Sequence, residues 1–221
     1  PLVMHPHMRK LPYTLESFQF IGRASYDPYL VLVPKDSPWA DFQAMSDDMK
    51  ANPGKYHWAS AGAGSVPYFA GMDLFSKFGL DVIHVPFKGD AGALQAMAAK
   101  RVNVYTTTAG VLTKHDLKAL AILAPERSAK LPDIPSITDY GQKVFYSQFF
   151  TLLAPKGLPE DVMEKLQETL AKATASEGFV GDLEKLGMTP AYLDSVATAE
   201  FINSESERNA INIKALVDKK Q

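Results

Sequence analysis

The sequence predicts an α/β fold built on a mostly parallel sheet, and two observations support this prediction. Short apolar runs alternate with segments whose apolar residues are spaced as on a helix, and several of these runs end in loops rich in glycine or hydroxyl side chains. Strands that alternate with helices in this way form βαβ units, which give parallel strands. The 221 residues, 46% of them hydrophobic, are enough for one large domain or two lobes.

Composition and charge argue against several classes of function. The 23 Lys and Arg against 25 Asp and Glu give a net charge of −2 without a basic tract, so we expect no nucleic-acid partner. The apolar runs are shorter than the roughly 18 residues of a membrane span. The absence of cysteine excludes disulfides and Cys-ligated zinc. The first residues show no signal-peptide pattern and no initiating Met, so we expect a trimmed chain.

The elements follow one another in a regular order. The apolar run at 29–33, between two prolines, predicts a strand buried on both faces. Asp36 or Ser37 should then cap a helix that begins at Pro38. The later elements are predicted as a strand at 56–60, a helix from about 66 to 78, a strand at 81–87, a helix within 91–101, strands within 102–110 and at 117–123, a strand at 144–155, helices within 157–176, at about 177–186 and at 197–218, and a short strand within 186–193.

The segment "SAGAGS", residues 60–65, joins a predicted strand to a predicted helix. It lacks the Lys-Ser/Thr of a P-loop and the third glycine of a dinucleotide fingerprint, so the sequence gives little support for a nucleotide site. Two interpretations remain open. Its glycines either permit a tight turn only, or they expose backbone N–H groups between Ser60 and Ser65 that bind an oxyanion.

The segment "FKGDAGAL", 87–94, repeats this arrangement one βαβ unit later. Such loops gather at the carboxyl ends of parallel strands, where ligands bind, so the two loops could hold the two ends of a small dicarboxylate. Lys88 either contacts the ligand or is solvated, and Asp90 is expected to cap the helix that starts near Ala91. A hydroxyl from Thr106–Thr108, at the end of the next strand, is a further candidate.

Groups that would indicate catalysis are not arranged in any known pattern. His84 lies in a buried-looking strand and is expected to be a core residue, and the five histidines show no metal-binding spacing within an element. Neither G-x-S-x-G nor H-E-x-x-H occurs. We therefore expect a binding protein without a cofactor or a bound metal.

The order of motifs resembles the periplasmic substrate-binding proteins of tripartite tricarboxylate transporters, the TctC or Bug receptors. The likeness covers nearly the whole chain and is carried by "LPYTLESFQFIGR", "ANPGKYHWASAGAGS", "VIHVPFKGDAGAL", "LKALAILAPERSAKLPDIPSITDYG" and "FFTLLAPKGLPEDVMEKL". It departs at Tyr68, where the family commonly has His.

The resemblance implies a type II periplasmic-binding-protein fold, whose two α/β lobes close on a small organic acid and present it to a membrane permease. It implies residues 1–33 and 147–221 for a first lobe and 34–146 for a second. The resemblance, together with the strand end at Thr106–Thr108 described above, gives ten candidate ligand-binding residues: Ser60, Gly62, Gly64, Ser65, Phe87, Gly89, Asp90, Ala91, Thr106 and Thr107.

In the family, an opening part of the first lobe, with the export signal, precedes the segment "LPYTLESF", so we expect this chain to be either a fragment or a naturally shortened protein. An exposed strand edge would then favour pairing with another chain. Two alternatives remain: an enzyme on a related scaffold, with Lys88, Asp90 or His84 as acid or base, and a regulatory partner that binds no ligand.

Overall fold

The computed structural model describes residues 2–218 and divides the chain into two compact units. One unit contains the chain up to Asp27 and from Phe149 onward, and the other is Pro28–Gln148. Among the described residues, no helix combines the length and the apolar character that a bilayer span needs.

The strands and helices of the two units are, in chain order, β1 (Phe18–Pro28), β2 (Leu30–Pro34), α1 (Phe42–Ala51), β3 (His57–Ser60), α2 (Val66–Phe78), β4 (Ile83–Pro86), α3 (Asp90–Ala98), β5 (Val104–Thr107), β6 (Leu117–Ile122), β7 (Ser147–Pro155), α4 (Glu160–Thr174), α5 (Glu177–Lys185), β8 (Pro190–Leu193) and α6 (Ser195–Asp218).

The unit Pro28–Gln148 is built on a five-stranded sheet with the order β4-β3-β5-β2-β6. β3 pairs parallel with both β4 and β5, as the sequence predicts. β2 runs antiparallel to β5 and to β6, so the sheet is mixed rather than mostly parallel. Leu30–Val33 are nearly inaccessible, which confirms the strand buried on both faces.

Helices cover both faces of this sheet. On one face α2 packs against Trp58 of β3, and a Cβ atom at Gly71 would lie only 2.3 Å from the indole, so glycine lets the helix approach the ring. On the other face α3 contributes Ala93 and Met97 to a core that includes Tyr105 of β5. This sheet with helices on both sides is the predicted α/β architecture.

The other unit contains a three-stranded sheet with the order β7-β1-β8. Ile21 of β1, Ala154 of β7 and Met163 of α4 form its buried cluster. β7 lies at an edge of this sheet, and its Phe150 and Leu152 are 47% and 46% exposed. Pairing of two chains along such an edge stays a prediction.

Besides the mixed sheet, three features differ from the sequence-based expectations. The sequence places the first boundary after residue 33, whereas the structure places it after Asp27, because β2 is hydrogen-bonded between β5 and β6. α1 begins at Phe42 rather than at Pro38, and its cap is Asp41, whose side chain accepts a hydrogen bond from the Ala44 N–H. The eleven-residue strand β1 was not predicted at all.

Candidate functional site

The carboxyl ends of the parallel strands β3, β4 and β5 meet at one edge of the five-stranded sheet. The segment after β3, residues 61–65, is the first loop, and the segment after β4, residues 87–89, is the second loop. The two loops are joined directly, because the Phe87 N–H donates to the Ser60 carbonyl at 3.0 Å and the Gly89 N–H to the Ala61 carbonyl at 3.3 Å. A ligand at this edge would therefore meet both loops at once.

The first loop presents backbone N–H groups at the start of α2. Gly62 and Gly64 adopt φ values of +119° and +81°, which glycine reaches without a steric penalty. Ser65 caps α2: its Oγ accepts from the Tyr68 N–H at 3.3 Å and donates to the Gly62 carbonyl at 2.7 Å. Among the described residues, the N–H groups of 63, 64 and 66 have no acceptor. The positive end of the α2 dipole adds to their attraction for an anion.

Ser60 lies beneath the first loop rather than on its surface. Its side chain is inaccessible, and Oγ lies 2.8 Å from His84 Nε2 and accepts the Gly62 N–H at 3.2 Å. His84 is half-buried, and its ring centroid lies 4.2 Å from that of Trp58 and 5.0 Å from that of Tyr68. The predicted core histidine is thus partly accessible and bonded to the strand end that holds the first loop.

The second loop differs from the first because the helix that it leads into, α3, carries a carboxylate in its first turn, whereas α2 does not. Gly89, with a φ of +82°, is the N-cap of α3, and no side chain caps this helix. The expectation that Asp90 caps it is wrong: Asp90 is its first residue, and its Oδ1 accepts a hydrogen bond of 2.5 Å from the Tyr105 hydroxyl. The Asp90 side chain is exposed, whereas Tyr105 is 0% exposed.

The charge of this carboxylate affects two buried tyrosines. Burial, and secondly the hydrogen bond to Asp90, raise the pKa of Tyr105. Burial and the negative charge of Asp90 likewise raise the pKa of Tyr29. Both phenols therefore stay protonated at neutral pH, and Tyr105 remains a hydrogen-bond donor that fixes the Asp90 carboxylate.

The other residues of the predicted site are placed as follows. Thr106 is buried, and its hydroxyl donates to the Pro67 carbonyl of α2 at 2.9 Å. Thr107 is also buried, on the same strand face as Tyr105. The Phe87 ring packs over Gly92, and Ala91 is exposed in the first turn of α3. The structure thus brings all ten residues to one sheet edge, but it buries the three hydroxyls at 60, 106 and 107.

The Lys88 side chain is exposed on the second loop. Among residues 2–218, no group of three or more His, Asp or Glu could hold a metal ion.

The sequence-based prediction of the site did not include Tyr105. The available signal was its position in "VYTT", where the alternation of a strand places it on the face toward α3.

Comparison with known proteins gives a family. Residues 1–217 match the tripartite tricarboxylate transporter family receptor. A UPF0065 protein of Bordetella pertussis is 30% identical over 211 residues, which are 92% of this chain and 65% of that protein. The chain thus spans less than two thirds of that curated relative.

Two solved structures share the fold. A TctC solute binding protein from Polaromonas has a TM-score of 0.83 at 23% identity, over 97% of this chain and 75% of the other. MatC from Rhodopseudomonas palustris with bound malate has a TM-score of 0.75 at 26% identity, over 93% of this chain and 73% of the other. These structures confirm the two-lobed, type II periplasmic-binding-protein fold. The family match confirms the resemblance and sets the enzyme alternative aside, because the family is one of receptors. The chain belongs to the tripartite tricarboxylate transporter receptor family.

Proposed function

We propose that this chain binds a small organic acid at the first and second loops, as a periplasmic receptor for a tripartite tricarboxylate-type transporter. One observation carries the proposal. The N–H groups of residues 63, 64 and 66, at or just before the start of α2, have no acceptor among the described residues. These groups lie at or just before the start of α2, where the helix dipole is positive, in a loop in which two of the five residues are glycines.

A carboxylate suits these donors better than a neutral group does. Hydrogen bonds to a charged acceptor contribute about 1.5–3 kcal/mol each, against about 1 kcal/mol for neutral pairs. Lys88 is the cation of the second loop and its side chain is exposed, so backbone amides carry the recognition. Recognition by amides leaves the identity of the acid to groups elsewhere in the site.

Membership of the receptor family and the malate bound to MatC support this proposal. The family's description as a transporter receptor supports a permease of that transporter as the partner. A similar solved structure, described as a periplasmic transporter, supports the periplasm as the place where the receptor meets its ligand. A regulatory protein without a ligand is the alternative, and nothing in the loop geometry favours it.

The proposal is tested by isothermal titration with di- and tricarboxylates, acidic amino acids and aromatic acids. The informative variant is Val66→Pro, which removes one unpartnered N–H. Val66 is the first residue of α2, where proline is favoured, and Ser65 before it is already extended, with a ψ of 162°. Val66→Ala is the matched control, since it keeps the N–H and removes the side chain.

We expect Val66→Pro to weaken binding of the acid about tenfold to a hundredfold, as the loss of one charged hydrogen bond implies, and Val66→Ala to leave it nearly unchanged. A chain that binds none of these acids would contradict the proposal. Equal binding by wild type and both variants would show that the acid binds elsewhere.

A further inference from the structure

We infer that the bound acid also carries a hydrogen-bond donor, an ammonium or a hydroxyl group, and that Asp90 selects for it. This inference rests on the proposed function, because it concerns the same site. It departs from the sequence-based expectation that the two loops hold two carboxylates, one at each loop.

The two loops are not equivalent. The first loop, 61–65, has no charged side chain, and its polar groups are backbone amides and one serine hydroxyl, so its surface is suited to an anion. The second loop leads into α3 through Asp90, whose negative charge lies in the first turn of that helix. A carboxylate there offsets the positive end of the helix dipole, which leaves α3 a weaker anion site than α2.

The Asp90 carboxylate cannot easily turn away from the site. The Tyr105 hydroxyl holds Oδ1 at 2.5 Å, and the Tyr105 side chain is itself fixed in the core of Ala93, Leu94 and Met97. Among the described residues, none donates to Asp90 Oδ2. An aspartate at this helical position is common in proteins, which accounts for its place but not for its bond to a buried phenol.

The polarity of the site follows from this arrangement. A second carboxylate near Asp90 would be repelled, whereas an ammonium or hydroxyl group would form a charge-assisted hydrogen bond with the open oxygen. Since the two loops are bonded to each other through Gly89 and Ala61, we expect the donor and the bound carboxylate to belong to one small molecule. Amino acids and hydroxy acids have this combination.

The test compares three four-carbon diacids, succinate, malate and aspartate, which differ in a single substituent: hydrogen, hydroxyl or ammonium. Titration calorimetry of the unmodified chain should show malate and aspartate binding at least tenfold more tightly than succinate, with aspartate the tighter of the two. This comparison requires no variant, so it does not depend on the folding of a mutant.

The variant Asp90→Asn then replaces the hydrogen-bond acceptor that faces the ligand with a donor. Its amide oxygen still accepts the Tyr105 hydrogen, so its NH₂ group faces the ligand as a donor. We expect aspartate to bind at least tenfold more weakly to this variant and succinate to bind more tightly. Tyr105→Phe, which releases the carboxylate, should reduce the preference for aspartate over succinate without weakening succinate. Lys88→Gln, on the same loop, is the control that should keep the preference.

The outcomes separate the inference from the proposed function. Succinate binding as tightly as malate and aspartate would overturn the inference and leave the acid receptor in place. A preference for aspartate that survives Asp90→Asn would show that another group makes the selection. If the chain bound none of these three acids and none of the wider panel, both the inference and the proposed function would be overturned.

Discussion

Ser60 Oγ and His84 Nε2 lie 2.8 Å apart and join the ends of two neighbouring parallel strands. Because the same Oγ accepts the Gly62 N–H, the bond links His84 to the backbone of the first loop. Ser60 is inaccessible, so it influences the proposed acid site by holding Gly62 in place rather than by direct contact. We therefore expect recognition at the proposed site to depend on side chains beneath the loops as well as on the amides above them.

Ser60→Ala should destabilise the chain by about 1–3 kcal/mol, because the half-buried His84 ring and the Gly62 N–H both lose a hydrogen bond. Urea denaturation, followed by tryptophan fluorescence, measures this difference. Ser204→Ala is the control: it removes an exposed hydroxyl in the middle of α6, where alanine is the better helix former. A loss of stability no greater for Ser60→Ala than for the control would contradict the role given to this pair.

Gly71→Ala should destabilise by about 1–3 kcal/mol, since its Cβ would overlap the Trp58 ring, with three ring atoms at 2.3, 2.6 and 2.9 Å. Gly181→Ala in α5 is the matched change, because its Cβ would meet nothing within 4 Å. That variant should gain about 0.5–1 kcal/mol from helix propensity. Thermal unfolding of both variants checks the two signs, and a stable Gly71→Ala would show that α2 can move away from the indole.

The strand–loop–helix units around the site could be predicted because their signals are local. The glycines of the first loop, the capping Ser65 and the apolar spacing of α2 lie within about twenty residues. β1 could not be predicted in this way. Gly22 interrupts its apolar pattern, and it is glycine because a Cβ there would lie 2.8 Å from the Leu193 carbonyl of β8, which is remote in sequence.

The Asp90–Tyr105 bond was missed for a related reason. It joins the first turn of α3 to the next strand, and it depends on how that strand is aligned beside the helix. Sequence reasoning treated Asp90 alone, and a lone aspartate near a helix start is usually a cap. The position of both loops was thus predictable, while the charge pattern between them required the tertiary structure.

The position of the α1 cap distinguishes the structure from the sequence-based expectation. Asp41→Ala should cost about 1 kcal/mol, because the Ala44 N–H loses the oxygen that it contacts at 2.8 Å. Asp36→Ala should have little effect, since the ion pair of Asp36 with Lys100 is exposed. Urea denaturation of the two variants side by side decides between the caps, and a larger loss for Asp36→Ala would restore a helix start near Pro38.

Asp48 of α1 provides a test based on pH. Its carboxylate accepts hydrogen bonds from the Tyr56 hydroxyl at 2.6 Å, from the Trp39 indole at 2.7 Å and from the Asn52 amide at 2.9 Å. These bonds, that of Tyr56 foremost, hold the pKa of the Asp48 carboxyl below its ordinary value. Since the folded form binds this proton more weakly than the unfolded form, the carboxylate stabilises the fold above the unfolded pKa of about 4.

Asp48→Asn should therefore be less stable than wild type at pH 7, with a difference that shrinks as the pH falls below about 5 and through the lowered folded pKa. Protonation removes the same charge from the wild type that the substitution removes at every pH, so the two stabilities converge in acid. Urea denaturation at pH 7, 5, 4 and 3 measures the convergence. Tyr56→Phe, which removes the strongest donor, should show a weaker pH dependence than wild type. A gap between wild type and Asp48→Asn that is the same at pH 3 and pH 7 would mean that these donors do not favour the ionised carboxylate.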